Sequence, residues 1–203
     1  MIVKDGMNVV ERAIKRLFDI FSSFVGLVIL SPVFLFVYIR LRIQNEGSVI
    51  FSQERIGYKG KAFRIFKFRT MFTDSEIEGK PVLAVKGDER LTKVGKFLRE
   101  HHLDELPQLF NVLIGDMSFV GPRPERKYFI DLIKKEAPDY DYIYLMRPGL
   151  TSMATIYNGY TDTMEKMLKR LEMDLDYLRN RSLWLDLKII ITTVLFIVKG
   201  KKF

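Results

Sequence analysis

The 203-residue sequence predicts an α+β protein. Its expected parts are an N-terminal re-entrant membrane helix with a Ser-Pro break, a small compact cytosolic domain of helices and a few short strands, and interfacial amphipathic helices. Three observations carry this prediction. A long uncharged run near the N-terminus is interrupted by Ser31-Pro32, and the stretches 48–57 and 62–71 are β-like. Helical spacing recurs through the remainder, punctuated by Pro/Gly turns. The expected division is 1–42 for the N-terminal segment and membrane helix, 43–182 for the polar domain, and 183–203 for a C-terminal interfacial helix.

The membrane element comes first. The run "IFSSFVGLVILSPVFLFVYI", Ile20 to Ile39, holds twenty residues without a charge. A straight helix of that length spans about 30 Å, the thickness of a bilayer's hydrocarbon core. No small-residue cleavage site follows, and Arg40 and Arg42 come next, so it does not read as a signal peptide. Pro32 has no N–H, which leaves the Val28 carbonyl without its helix partner. The Ser31 hydroxyl can reach back to that carbonyl, so the pair makes a tolerated kink. Lys4, Arg12, Lys15 and Arg16 precede the run, and Arg40, Arg42, Arg55, Lys59 and Lys61 follow it. Basic flanks on both sides favour re-entry over a simple crossing. At the other end, Ile189 to Val198 is apolar but too short to span. Trp184 before it and Lys199, Lys201 and Lys202 after it suit an element lying in an anionic interface. A buried terminal helix reads equally well.

Between these ends, "AFRIFKFRTM" alternates Phe63 and Ile65 against Phe66 and Phe68. Residues 74–90 carry Gly, Pro and charge and read as a mobile loop. A helix follows with Thr92 as its cap, and further helices are expected over 125–136 and 162–180.

Lys and Arg outnumber Asp and Glu by 33 to 25, a formal charge of +8. That excess suits an anionic partner: nucleic acid, an anionic lipid surface or a phosphorylated substrate. Without cysteine there is no disulfide, Cys-ligated zinc or thiol nucleophile, and adjacent His101 and His102 make a poor metal set.

Against this basic background, Asp104 and Glu105 stand between leucines just before Pro107. Proline disfavours helix at the residue before it and is welcome in a helix's first turn. One helix is therefore expected to end near Leu103 and another to open at Pro107. In the second, Leu106, Phe110, Leu113 and Ile114 form an apolar stripe, with Gln108 and Asn111 on the polar side. The carboxylates would precede a helix N-terminus, which favours their ionised forms. They read either as acids stabilising a first turn, or as a nucleophilic Asp beside a Glu that holds a divalent cation. Candidate phosphate-binding cations are Lys67, Arg69, Arg99, Arg123 and Arg147. Arg123 and Arg147 sit in the rigid turns "GPRP" and "RPG", which hold a guanidinium at little entropic loss.

The segments "KRLFDIFSSFVGLVILSPVFL", "GSVIFSQERIG", "FRIFKFRTM", "LTKVGKFLREHHLDELPQLFNVLIGDMSFVGPRP" and "RPGLT" resemble, in order, the bacterial sugar transferase family, the monotopic phosphoglycosyl transferases. The resemblance begins near Lys15, runs to the C-terminus, and is to the family's minimal catalytic form. It implies transfer of a sugar-1-phosphate from a UDP-sugar to a membrane polyprenol phosphate, with undecaprenyl phosphate the expected lipid, and release of UMP. It also implies that Asp104 forms a covalent phosphosugar intermediate and that Glu105 is associated with Mg²⁺. Lys67, Arg69, Arg99, Arg123, Arg147 and Asp174 become substrate or phosphate-site candidates, and Ser31 and Pro32 the pair that makes the membrane segment re-entrant. The implied location is the bacterial inner membrane, with the catalytic domain on its cytoplasmic face. The match departs after "RPGLT": many relatives continue "GxxQVxGR", whereas this chain has "SMATIYNGYT" (152–161), with Ser152 in place of a turn glycine.

Two other readings remain. Asp174-Leu175-Asp176 could serve as the DxD metal motif of an ordinary metal-dependent glycosyltransferase, though the stretch is strongly helical. The basic excess could also serve a non-enzymatic, membrane-tethered binding protein. Nucleic acid is not an expected partner, because the basic residues are scattered and no nucleic-acid motif is present.

Overall fold

Asn8 opens the first helix with a capping box. Its side chain accepts the Glu11 N–H, and the Glu11 carboxylate accepts the Asn8 N–H. The computed structural model describes residues 4–44, 47–73, 88–159 and 161–199. In order these form α1 (Val9–Ile29), α2 (Ser31–Gln44), β1 (Ile50–Ile56), β2 (Ala62–Phe68), α3 (Lys93–Glu100), α4 (Gln108–Ile114), β3 (Ser118–Val120) and α5 (Lys127–Glu136). A 3-10 segment, Pro138–Leu145, leads into β4 (Gly149–Thr151), α6 (Met153–Tyr157), α7 (Met164–Asn180) and α8 (Leu183–Val198).

The axes of α1 and α2 meet at 59°. Ser31 Oγ donates to the Val28 carbonyl at 2.8 Å, compensating for the N–H that Pro32 lacks. Among the described residues no single helix is long and apolar enough to cross a membrane, but the bent pair has the length and composition together.

Both arms of the pair are fastened to the same domain. Arg16 donates to the carbonyls of Val112 and Leu113 at the end of α4, at 2.6 and 2.8 Å. Asp19, buried, accepts the Phe119 N–H of β3 at 3.2 Å. Lys15 pairs with Asp186 of α8 at 2.5 Å, and Asp186 also accepts the Tyr177 hydroxyl at 2.5 Å. On the other arm, Val37 and Leu41 of α2 bury against Val49, Phe68 and Leu98.

β1 and β2 form an antiparallel hairpin in which Ile50 faces Phe68 and Ile56 faces Ala62. The expected alternation is used on both sides: Phe68 joins the α2 cluster, while Ile65 packs with Val112 and Met117. β3 and β4 pair in parallel, Ser118 with Gly149 and Val120 with Thr151. Val120, Ile130, Met146, Leu178 and Ile189 belong to the main core, under α5, α7 and α8.

Two expectations around the carboxylates are corrected. The helix before them ends at Glu100, with His101 as its C-cap, rather than near Leu103. The polar side of α4 is also not the outer one. Gln108 and Asn111 are buried, whereas Phe110 and Ile114 are exposed. The reason is hydrogen bonding to the backbone of β2. Asn111 Oδ1 accepts the Phe66 N–H at 3.0 Å, and its Nδ2 donates to the Arg64 carbonyl at 2.8 Å. A buried amide with both ends satisfied can hold a core position that hydrophobicity alone would give to leucine.

Thr92 caps α3 as expected, accepting the Gly95 N–H at 2.9 Å. α8 docks through buried Ile189 and Asp186 while Trp184, Ile191, Val194 and Leu195 stay exposed. It therefore has both an inner face and an apolar outer one. Most of the expected loop, residues 74–87, and the basic residues Lys201 and Lys202 lie outside the described residues.

Candidate active site

Asp104 and Glu105 lie on a single 3-10 turn, Leu103–Glu105. The chain reaches it through His102, which adopts the left-handed conformation (φ 55°, ψ 19°) and so reverses direction directly after α3. Leu103 and Leu106 pack against the Val37–Phe68–Leu98 cluster, anchoring the turn from below.

The cations arrive from three elements. β2 brings Lys67, whose Nζ donates to Glu105 Oε1 at 2.6 Å. α3 brings Arg99, whose Nε donates to Thr70 Oγ1 at 3.1 Å. Gly95 makes that approach possible: a Cβ there would lie 1.9 Å from the Thr70 carbonyl oxygen. Arg123, on the turn after β3, places a guanidinium nitrogen 3.7 Å from Glu105 Oε1. Its turn is pressed backbone to backbone against the one after Arg147. A Cβ on Gly121 would meet the Arg147 carbonyl oxygen at 2.2 Å.

This environment separates the two carboxyls. Burial pushes Asp104 above the usual carboxylate range and the charge of Glu105 adds to that, while Lys67, Arg99 and His102 pull against it. Glu105 is also desolvated, but Lys67 and Arg123 dominate and hold it at about 2. The arrangement therefore offers one permanently ionised carboxylate clamped by cations, beside one poorly solvated carboxyl surrounded by positive charge. A poorly solvated carboxylate is a capable nucleophile, and fixed cations can receive charge developing on a phosphoryl group.

Among the described residues no group of three or more His, Cys, Asp or Glu side chains forms a metal cage. Mg²⁺ does not require one, since it binds readily through one or two carboxylates plus substrate phosphates and water. An ionised Glu105 fits that donor set.

The family of bacterial sugar transferases matches residues 10–200. The chain belongs to the bacterial sugar transferase family. It is 46% identical over 190 residues to a UDP-glucose:undecaprenyl-phosphate glucose-1-phosphate transferase of Klebsiella pneumoniae, covering 93% of this chain and 41% of that protein. It is 41% identical over 187 residues to a UDP-N-acetylgalactosamine-undecaprenyl-phosphate N-acetylgalactosaminephosphotransferase of Aeromonas hydrophila, covering 92% and 44%. An exopolysaccharide production protein of Rhizobium leguminosarum bv. phaseoli is 40% identical over 199 residues, covering 95% of this chain and 100% of that protein. The chain thus spans less than half the length of the first two relatives.

Within this member of the family, not every candidate residue gathers at the carboxylates. Lys67, Arg99 and Arg123 do. Arg69 instead donates through Nε to the Ser48 carbonyl at 2.6 Å and lies over the Phe51 ring. Arg147 donates through Nε to the Gly115 carbonyl at 2.8 Å, at the far end of α4, with its guanidinium 5.0 Å from the Tyr58 ring centre. Asp174 lies on α7 in a second cleft that Arg123 also lines. Asp174 and Asp176 do not act together: the first is buried, and the second is exposed and bonded to Asn180. That disposition argues against a DxD metal motif.

Ser152, at the departure from the common family pattern, caps α6 by accepting the Thr155 N–H at 3.0 Å. Its backbone is extended there (φ −153°), so this position does not need glycine.

Sequence reasoning missed His102, Thr70, Glu125 and Arg170. Glu125 accepts from Arg170 at 2.5 Å and from Arg55 at 3.4 Å, which builds the wall behind Arg123. The usable signals were the position of Glu125 inside "GPRPER" and the placement of Arg170 four residues before Asp174 on one helix.

Proposed function

We propose that this sugar transferase moves a sugar-1-phosphate from a UDP-sugar to a polyprenol phosphate in the membrane. The observation that carries the reading is the buried Asp104 carboxyl, under the charge of Lys67 and Arg99 and beside an ionised Glu105. The names of the relatives, which describe glucose-1-phosphate and N-acetylgalactosamine-phosphate transfer to undecaprenyl phosphate, support the same substrate classes.

In the first step an Asp104 carboxylate oxygen attacks the sugar-linked phosphorus. A bond forms between that oxygen and phosphorus while the bond from phosphorus to the bridging oxygen breaks. UMP leaves with the electron pair. In the second step an oxygen of the polyprenol phosphate attacks the same phosphorus, releasing Asp104 and giving a polyprenol diphosphosugar. An anionic nucleophile approaching a diphosphate is repelled, and Lys67, Arg99 and Arg123 offset that repulsion as preorganised positive charge. Glu105 would hold Mg²⁺ together with diphosphate oxygens, where the ion supplies Lewis-acid stabilisation of the leaving phosphate.

The membrane part of the proposal is that α1 and α2 form a re-entrant loop. Its support is topological. The entering arm is tied to the polar domain by Arg16 and Asp19, and the returning arm is tied to it by Val37 and Leu41. A segment anchored to one domain at both ends leaves on the side it entered. The exposed apolar side chains of α1 and α2, including Phe21, Phe24, Leu35 and Phe36, face outward, as lipid contact requires. The basic flanks favour a location of that domain on the cytoplasmic face of the bacterial inner membrane.

The test is trapping. Incubation with UDP-sugar labelled in the sugar, without lipid acceptor, should leave the label covalently on the protein. Asp104→Asn should remove both the label and turnover. Label persisting in that variant would overturn the nucleophile assignment.

A further inference from the structure

Asp174 is 3% exposed, and its fully enclosed Oδ1 has no hydrogen-bond partner among the described residues. This is unexpected one helical turn after Arg170. The nearby arginine does not satisfy it, because Arg170 Nη1 goes to Glu125 at 2.5 Å instead. A buried carboxyl oxygen left without a partner is destabilising, so native structures normally provide one. Here the carboxyl lines a cleft with Arg123, Arg170, Tyr140, Ile133 and Met167, and the partner has to come from whatever occupies that cleft.

Charge narrows the occupant. A phosphate oxygen would meet Asp174 and Glu125 with the wrong sign and offer no hydrogen to accept. Of the substrate and phosphate roles open to Asp174, this favours a contact with another part of the substrate. A metal ion would find two carboxyls already flanked by the Arg123 and Arg170 guanidiniums. A neutral N–H or O–H donor meets neither objection. Position narrows it further. Arg123 lines this cleft and also stands 3.7 Å from Glu105, so a ligand whose phosphates sit at Arg123 extends its neighbouring group toward Asp174.

We infer that Asp174 accepts a hydrogen bond from a neutral donor of the bound nucleotide sugar, which makes the Arg123–Asp174 cleft the subsite beside the phosphate centre. The inference rests on the function proposed above. Two parts of a UDP-sugar carry such a donor: the imide N–H of uracil and the hydroxyls of the sugar. Burial, countered by Arg170 and reinforced by Glu125, pushes the Asp174 carboxyl up to about 7, and either protonation state presents an acceptor oxygen.

Binding of UMP and of UDP-sugars to the full chain in lipid nanodiscs tests the inference. Asp174→Leu removes the acceptor and should weaken binding about tenfold, as expected for one hydrogen bond to a buried group. Asp174→Asn keeps a carbonyl acceptor and should restore most of the affinity. Loss for UMP identifies the base as the donor; loss for the UDP-sugar alone identifies the sugar. No loss in the Leu variant, or equal loss in both variants, overturns the inference. Should the Leu variant not fold, the unaltered protein gives the same answer. N3-methyl-UMP or a singly deoxygenated UDP-sugar should bind about tenfold more weakly than its parent. If every such analogue binds like its parent, the inference fails. Failure of the proposed function looks different: the unaltered chain would then form no phosphosugar adduct, whatever its response to changes at Asp174.

Discussion

Lys67 Nζ lies 2.6 Å from Glu105 Oε1, so the lysine bonds the neighbour of the expected nucleophile rather than the nucleophile itself. It lowers the energy of both carboxylates while leaving the Asp104 oxygens without a lysine hydrogen bond to break before attack. Lys67→Met should therefore reduce adduct formation by about a hundredfold, the scale of losing one preorganised charge contact. Single-turnover labelling checks this, and a rate within a few-fold of the parent would remove Lys67 from the mechanism.

Glu105 should make the reaction dependent on divalent metal. Excess chelator is expected to stop UMP release and added Mg²⁺ to restore it. Glu105→Gln should raise the Mg²⁺ concentration needed for half-maximal rate, because an amide is a weaker ligand for a hard cation. UMP release that continues unchanged in chelator would contradict the role given to Glu105.

Asn111 is fully buried and ties α4 to the β2 backbone at both Arg64 and Phe66. Replacing it with leucine suits the apolar surroundings but strands a carbonyl and an N–H. Asn111→Leu should destabilise the protein by about 2–4 kcal/mol and slow labelling, because Lys67 follows Phe66 directly. Thermal melting and labelling together test the link: a stable variant with full activity would break it.

Asp174 gives a stability prediction with a defined sign. Its carboxyl stands at about 7 in the folded protein against an ordinary 3.8. The native state therefore holds its proton through the window in which the unfolded chain loses it, and stability falls as pH rises from about 4 to about 7. The full penalty above that window is at most about 4 kcal/mol. Asp174→Asn removes it, so the variant should match the parent near pH 4 and become progressively more stable toward pH 7. Denaturation at a series of pH values reads the difference directly. A constant offset across that range would mean the carboxyl does not titrate there.

For the membrane segment, cysteines introduced at Lys4 and Ser48 in the cysteine-free chain should label from the same side of sealed vesicles. Pro32→Ala restores a backbone N–H for the Val28 carbonyl and should straighten the 59° bend, lowering activity and moving one cysteine to the opposite side. Labelling of the unaltered segment from opposite faces would mean a simple crossing.

Features set by neighbouring residues were readable in advance. The Ser31–Val28 bond, the Thr92 cap and the hairpin of β1 and β2 each depend on a few adjacent positions, and each formed as the local chemistry requires. The Asp104–Glu105 pair and its cations could be nominated from residue type, turn chemistry and family resemblance. Their sorting could not. Lys67, Arg99 and Arg123 converge while Arg69 and Arg147 turn to carbonyls elsewhere, a choice made by how β2, α3 and β3 pack. The error at Asn111 has the same origin, since periodicity assigns polar residues to the surface and cannot anticipate a partner supplied by a distant strand.

The chain's local order thus determined, by itself, where the helix breaks, which carboxylates stand together and what charge surrounds them in composition. Tertiary structure alone decided which cations reach Glu105, that Asp104 is desolvated, and that Asp174 Oδ1 is enclosed without a partner among the described residues. The reason is that bond rotation and spacing act over a few residues, whereas desolvation and charge pairing depend on groups brought together from remote parts of the chain.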